Sequence, residues 1–321
     1  MPDEFNLIEK YLAPLAAPEG LSLLDDAACV PAREAHDQII TKDVLVGGTH
    51  FFEGDDPVSL AFKAISVNVS DLAAKGAEPA FYMLGLSLPN EGDTENWLEQ
   101  FVQGLGKAQD LYGITLLGGD STSTSGPLTI SITAIGYVPA GKMIRRSGAE
   151  VGDAVFVTGQ LGEAAFALQA ILGNIAASDV SLDAYYNPSA QHLVGQKLRG
   201  IASAAADISD GLLADVGHIA KASGVGVHIE LGKLPHSDAV KRFIEADPRL
   251  VQLIYAGGDD YEIVFTAPLD LLEEVNAISA QYEVKITQIG KIVEGTGVEI
   301  IDNIGKTVQV SRRGFNHFND N

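Results

Sequence analysis

The chain has 321 residues, 46% of them hydrophobic and 20% charged; 43 acidic against 21 basic side chains give a formal charge of −22. That length exceeds one ordinary core and points to two domains, while so acidic a surface repels a phosphate backbone and argues against nucleic acid as a partner. A single cysteine, Cys29, excludes an intrachain disulfide or a multi-cysteine metal site, and no window approaches the roughly 18 uninterrupted apolar residues of a membrane span.

The opening MPDEFNLIEKYL is acidic and amphipathic, the wrong charge for a signal or transit peptide, so the cytoplasm is the expected compartment. Strands are expected over 38–46, 80–89 and 127–138, with helices over 58–75 and 94–112. The segment PAGKMIRRSGAEVGD (139–153) is rich in glycine and charge and has no period. The domain junction is placed there, giving an N-terminal domain over 1–138 and a C-terminal α/β domain over 139–321. The second half then alternates more regularly: strand 153–159, helices 162–172 and 189–201, and DISDG (207–211) opening a helix over 211–222. Strand 225–231, a helix near 237–246, strand 261–267, helix 268–280, strand 284–293 and a last hairpin complete an α/β pattern.

The first helix poses the chemical question. At about 100° per residue, Lys63, Ser66 and Ser70 form one polar stripe, expected to face solvent. Asn68, Asp71 and Lys75 form a second polar seam lined by apolar neighbours, and Gly76 supplies a left-handed stop. An i,i+4 pair between Asp71 and Lys75 accounts for the seam at a few tenths of a kcal/mol. A carboxylate facing inward, however, is costly without a partner, and a metal ion is one such partner.

The pattern recurs at the ends of apolar runs. Asp25 and Asp26 follow LL, Asp43 lies in ITKDVLV with His50 just beyond, and Asp120 follows two glycines where a strand is expected to end. Asp207 and Asp210 sit at a helix start, and Asp259, Asp260 and Glu262 follow another glycine pair. Turn formation, and capping by Ser209 or Asp210, explain single cases. Their recurrence fits oxygen-only ligands for Mg²⁺, which takes one or two carboxylates per ion plus substrate phosphates. No HExxH spacing supports zinc and no GxSxG elbow supports a serine hydrolase. GYVPAGKM has P-loop spacing, but Met143 stands where a hydroxyl must ligate and Pro139 removes a donor. VTGQLGEAAF can bind an anion at its helix start or simply pack closely. Lys142, Arg145 and Arg146 form the main basic cluster, suited to phosphate.

Taken in order, DDAA, TKDVLVGGTHF, KAISVNVSDLAAKGAEP, LLGGDSTS, RRSGA, VTGQLGEAA, DISDGLLADVGHI and GGDDYE resemble the thiamine-monophosphate kinase family, within the aminoimidazole ribonucleotide synthetase-like superfamily. The resemblance covers nearly the whole chain. It implies a two-domain α/β protein, usually a dimer joined through its N-terminal sheets, that transfers the γ-phosphoryl group of ATP to thiamine monophosphate with the help of several Mg²⁺ ions. By the same resemblance Asp26, Thr41, Lys42, Asp43, Asp71, Asp120, Asp207 and Asp210 occupy magnesium positions. Tyr112, Gly119, Asp120, Arg146 and Ser209 occupy nucleotide positions, and His50, Asp259 and Phe315 substrate positions. Three departures stand out: Ser22-Leu23-Leu24 where the family often has Gly-Ile-Gly, Lys42 in place of a hydroxyl, and Asp259 in place of a commoner Glu. A metal contact at Lys42 would have to come from its backbone carbonyl.

The acceptor of that reaction is an ionised phosphate, so no general base is expected. The physical problem is bringing two polyanions together inside an acidic protein, which carboxylate-held cations solve if acids from both halves converge. Two other readings remain open from the residues: an ATP-dependent synthetase or maturation enzyme on the same scaffold, and a non-catalytic divalent-ion binder. The absence of an EF-hand loop counts against the last.

Overall fold

A computed structural model describes residues 4–177, 180–310 and 314. The chain divides into two compact units, one running to Leu72 and resuming over Ala77–Gly141, the other comprising Ala73–Gly76 and the chain from Lys142 onward.

In the first unit a short helix α1 (Glu4–Leu7) precedes β1 (His36–Val46), α2 (Pro57–Ala74), β2 (Glu78–Pro89), α3 (Thr94–Tyr112), β3 (Thr115–Thr124) and β4 (Thr129–Pro139). The sheet runs β1-β4-β2-β3, with β4 antiparallel to both neighbours and β2 parallel to β3. Period-two alternation sorts its faces. Ile39, Leu45, Leu84, Leu86, Ile130 and Ile132 are buried on the side taken by α2 and α3. The other side leaves Ile40, Val44 and Met83 exposed at 59%, 43% and 45%. α2 stops at Gly76, as expected, in the left-handed region at φ +69°.

Two expectations fail here. Lys63, Ser66 and Ser70 do not face solvent; they are 3%, 0% and 0% exposed. α3 packs on α2, with Gly104 against Val58 O and Ala61, and for Ser66 this supplies the reason: its Oγ shares a 2.9 Å hydrogen bond with the buried Tyr112 hydroxyl. β3 does not end at the glycine pair but continues to Thr124, paired with β2 as far as Pro89. Gly119 permits that pairing, because a Cβ there would lie 1.8 Å from Leu84 O.

The second unit carries β5 (Ala154–Thr158), α4 (Glu163–Ile171), α5 (Asp183–Tyr186), α6 (His192–Lys197), β6 (Ala204–Asp207), α7 (Leu212–Ser223), β7 (Gly226–Glu230), α8 (Asp238–Ala246), α9 (Gln252–Ala256), β8 (Ile263–Ala267), α10 (Leu272–Tyr282), β9 (Ile286–Val293) and β10 (Gly297–Ile301). Its six strands run β10-β7-β9-β5-β8-β6. Every residue of β5, β6 and β8 is buried, which is why these strands read as unbroken apolar runs. Val155, Val157 and Val264 pack with Phe166, Leu212 and Val216 on one face. Phe156 and Phe265, with ring centroids 5.2 Å apart, pack with Val194, Leu198 and Val275 on the other. Each such side chain contributes about 1.5–3 kcal/mol on burial.

The helix expected over 189–201 is only the short α6, flanked by turns. The expected last hairpin is likewise reduced. β10 pairs in parallel with β7, and the turn after it is closed by a single bridge, Ile301 with Thr307.

Candidate functional site

The inward seam of α2 meets β1. Thr41 and Asp43 project from the covered face of β1, and α2 sets Asn68 and Asp71 opposite them. Thr41 Oγ1 donates a short hydrogen bond to Asp71 Oδ2. The Asp43 N–H donates to Asn68 Oδ1 at 3.1 Å, and the Asn68 amide donates in turn to Ala64 O at 2.9 Å. Asn68, 1% exposed, thus bolts strand to helix where the carboxylates stand. Burial, then the neighbouring charge of Asp71, pushes the Asp43 carboxyl up to about 6. Two crowded carboxylates and a hydroxyl make an all-oxygen set that a hard divalent cation fits, and the cation would relieve the mutual repulsion.

Other N-terminal positions fall elsewhere. Lys42 points to the open face, where its Nζ donates to Ser131 Oγ at 2.5 Å, so only its backbone is available toward Asp43. His50 Nδ1 accepts from the Val46 N–H at 3.0 Å and closes the turn after β1. Asp120 pairs with Gly85, Gly85 with Ser131, and Ser131 with Val44, a row on the open face. Asp43 and Asp120 therefore lie on the two edge strands of one sheet, on opposite faces, three strand spacings or about 14 Å apart. Tyr112, the last residue of α3 and 3% exposed, is held against α2 by its bond with Ser66. Asp25 and Asp26 are exposed in an irregular segment, the Asp26 N–H donating to Asp25 Oδ1 at 2.8 Å. Cys29, also exposed, donates its N–H to Glu19 O on that segment.

In the second unit β6 ends at Asp207, which is 3% exposed. The chain then turns through Ser209 and Asp210 into α7. Three backbone hydrogen bonds lay this turn against residues 259–262: Ile208 N–H to Glu262 O, Asp259 N–H to Ser209 O and Tyr261 N–H to Ile208 O. Asp207, Ser209, Asp210 and Asp259 are thereby brought together, and the Tyr261 hydroxyl donates to Asp259 Oδ1 at 2.9 Å. Neither Ser209 nor Asp210 caps α7; its N-cap is Gly211. Phe315 lies outside the described residues.

Two residues here carry no expectation from the sequence. Asp215, 1% exposed, accepts at Oδ2 from the Ser209 and Asp210 N–H groups at 3.1 and 3.2 Å. Burial and then the Asp210 charge push its carboxyl up to about 7, against which the Arg146 guanidinium works. His218, one turn on, brings a ligand atom within 4.8 Å of those of Asp210 and Asp215. Burial and the positive charge of Arg146 hold its imidazole below the usual range. The signal for Asp215 was the one that marked Asp71, a carboxylate within an apolar stripe, here Leu212, Val216 and Ile219.

The VTGQLG turn has no N–H to spare at Gly162, which donates to both oxygens of Asp260 at 2.9 and 3.1 Å. Glu262 accepts from Thr158 Oγ1 at 2.5 Å and Gln191 Nε2 at 3.3 Å, and burial pushes it up to about 7. Close packing, the second of the two readings of that turn, describes it.

Residues 24–138 match the AIR synthase related protein N-terminal domain and residues 150–303 its C-terminal domain. Fold and acidic sites alike place the chain in that class of two-domain α/β proteins. A thiamine-monophosphate kinase of Caulobacter vibrioides is 40% identical over 322 residues, 98% of this chain and 91% of that one. A solved thiamine-monophosphate kinase from Stenotrophomonas maltophilia matches with a TM-score of 0.81 at 37% identity, over 87% of this chain and 89% of that chain. AaThiL complexed with AMPPCP and TMP matches with a TM-score of 0.78 at 32% identity, over 98% and 97%. The chain belongs to the thiamine-monophosphate kinase family.

Proposed function

We propose that this protein transfers the γ-phosphoryl group of ATP to thiamine monophosphate, yielding thiamine diphosphate and ADP. The observation that carries this reading is the end-to-end likeness to a relative whose structure holds AMPPCP and TMP, over 98% of this chain. AMPPCP is an ATP analogue with a methylene bridge in place of the β,γ oxygen, so that complex pairs a nucleotide with the acceptor.

Asp43, Asp71 and Thr41 supply one oxygen set for Mg²⁺, joined by the Lys42 carbonyl, and Asp207 and Asp210 supply another; Asp26 and Asp120 add carboxylates. Ions bound there would supply charge neutralisation for the nucleotide, the acceptor and the transferring group. Arg146, Ser209 and Gly119 serve the nucleotide, with Tyr112 supporting that region from the core. His50, Asp259 and Phe315 serve the thiamine phosphate. No side chain is asked to remove a proton, because the attacking phosphate oxygen is already ionised. Asp43 and Asp120 stand on opposite edges of one sheet whose open face exposes Ile40, Val44 and Met83 among polar side chains, which supports a homodimer assembled through these sheets. The cytoplasm, where ATP and Mg²⁺ are plentiful, suits the reaction.

Incubation with ATP, Mg²⁺ and thiamine monophosphate is expected to yield thiamine diphosphate and ADP, with free thiamine inert as acceptor. Asp71→Asn is expected to lower turnover by at least about 100-fold while the far-ultraviolet spectrum stays native. A wild-type protein that forms no thiamine diphosphate would remove the proposal, and full activity in the variant would remove Asp71 from it.

A further inference from the structure

We infer that Asp215 is a positioning residue for the nucleotide and metal turn, acting through its hydrogen-bond acceptor and not as a ligand; the inference rests on the kinase reading above. The turn from β6 to α7 carries Ser209 and Asp210, and it has no capping side chain of its own, since the position before α7 is Gly211. One side of the turn is fixed by the backbone bonds to residues 259–262. The other side is fixed by Asp215, which reaches back from the first turn of α7 and collects both the Ser209 and Asp210 N–H groups on a single oxygen, Oδ2. The turn is thus held from two directions, Ser209 through both its N–H and its carbonyl and Asp210 through its N–H, which sets where the hydroxyl and carboxylate point.

The carboxylate is anchored in turn. Asp215 is 1% exposed, its N–H donates to Gly211 O, and its neighbours on the helix, Leu212, Val216 and Ile219, are packed in the core. Its Oδ2 is already committed to two N–H groups, so any ligation would fall to Oδ1, and the variants below separate that role from positioning. A rigid core residue therefore sets the geometry of a half-exposed pair of functional side chains. Residues that orient ligands in this way typically influence metal affinity by about 10- to 100-fold without touching the metal.

The chemistry of the bond separates positioning from ligation. Asn at 215 keeps an acceptor oxygen in place and removes the charge; Ala removes both. In the assay for thiamine diphosphate, Asp215→Ala is expected to raise the Mg²⁺ concentration for half-maximal rate and the KM for ATP by about 10-fold or more. The KM for thiamine monophosphate should stay within about twofold, and Asp215→Asn, which keeps the acceptor, within about threefold of wild type on all three measures, well below the roughly 10-fold or more that loss of an outer-shell partner costs. Folding is checked by circular dichroism and thermal unfolding. Where Asp215→Ala fails to fold, Asp215→Glu, which keeps the charge but displaces the acceptor, takes its place with the same expected rise. A folded Asp215→Ala with a wild-type Mg²⁺ midpoint overturns the inference. So does an Asp215→Asn as impaired as Asp215→Ala, because the charge would then be acting directly. An inactive wild type would instead overturn the kinase reading.

Discussion

Glu262 shows how much a single carboxyl can cost where the chain packs it tightly. It sits against Gly159, where a Cβ would lie 1.9 Å from its Oε1, and despite bonds from Thr158 and Gln191 its pKa rises from 4.5 to about 7. An acid whose folded pKa lies above its unfolded one favours folding below the unfolded value and loses that contribution as pH rises through the folded value. Between pH 5 and pH 8 the wild type should therefore lose stability relative to Glu262→Gln by about 2–3 kcal/mol, read from urea unfolding at the two pH values. A constant difference would show that the carboxyl is not desolvated. At this scale the sequence was informative about which acids stand among apolar neighbours and less so about their hydrogen-bond partners. Asp71 betrayed itself as a charge among apolar neighbours, and Asn68 beside it proved to be the bolt to β1. Asp215 gave the same sign but was masked by the adjacent Ser209 and Asp210, whose helix-capping chemistry offered a simpler account of the motif.

Among elements, the strained approach to Asp25 and Asp26 stands out. Leu21, Ser22 and Leu23 all adopt left-handed backbone, at φ 52°, 59° and 58°. Each such residue costs about 1–2 kcal/mol, whereas glycine costs about 0.5–1 kcal/mol in unfolded-chain entropy. Ser22→Gly is accordingly expected to raise stability by about 0.5–1 kcal/mol, a gain of about 1–3 °C in melting temperature, measured by differential scanning fluorimetry. A drop in melting temperature would mean the serine side chain contributes more than the strain removes. The elements themselves were legible where hydrophobic period and length agreed, as in α2, α3, β5 and β8. β3 was not recognised as continuing through Gly118, Gly119 and Asp120, because its later residues are polar and its pairing with β2 is decided by tertiary structure. The same override buried Ser66, whose polarity looked like a solvent face until the Tyr112 hydroxyl of α3 met it.

At the scale of the whole molecule, a charge of −22 and the exposed Ile40, Val44 and Met83 of one sheet face pull in different directions. Like charge keeps copies apart, so an association through Ile40, Val44 and Met83 must draw its free energy from apolar area. Ile40→Asp combined with Met83→Asp is expected to convert a dimer to a monomer in sedimentation, and to lower phosphoryl transfer at least tenfold if the second copy supplies Asp120 to the Asp43 set. A double variant that stays dimeric would move the interface elsewhere. The two-domain order was readable in the sequence because each motif is local. What no local motif could convey is that Asp43 and Asp120 end on opposite edges of a shared sheet.

Cys29 offers an unplanned convenience. It is the chain's sole thiol, it is exposed, and it sits three residues beyond Asp26 on the same irregular segment. A maleimide fluorophore would therefore attach once per polypeptide, with no engineered cysteine and no competing site. Titrating the labelled protein with Mg²⁺ would turn that natural handle into an optical gauge of whether the stretch around Asp25 and Asp26 responds when cations arrive.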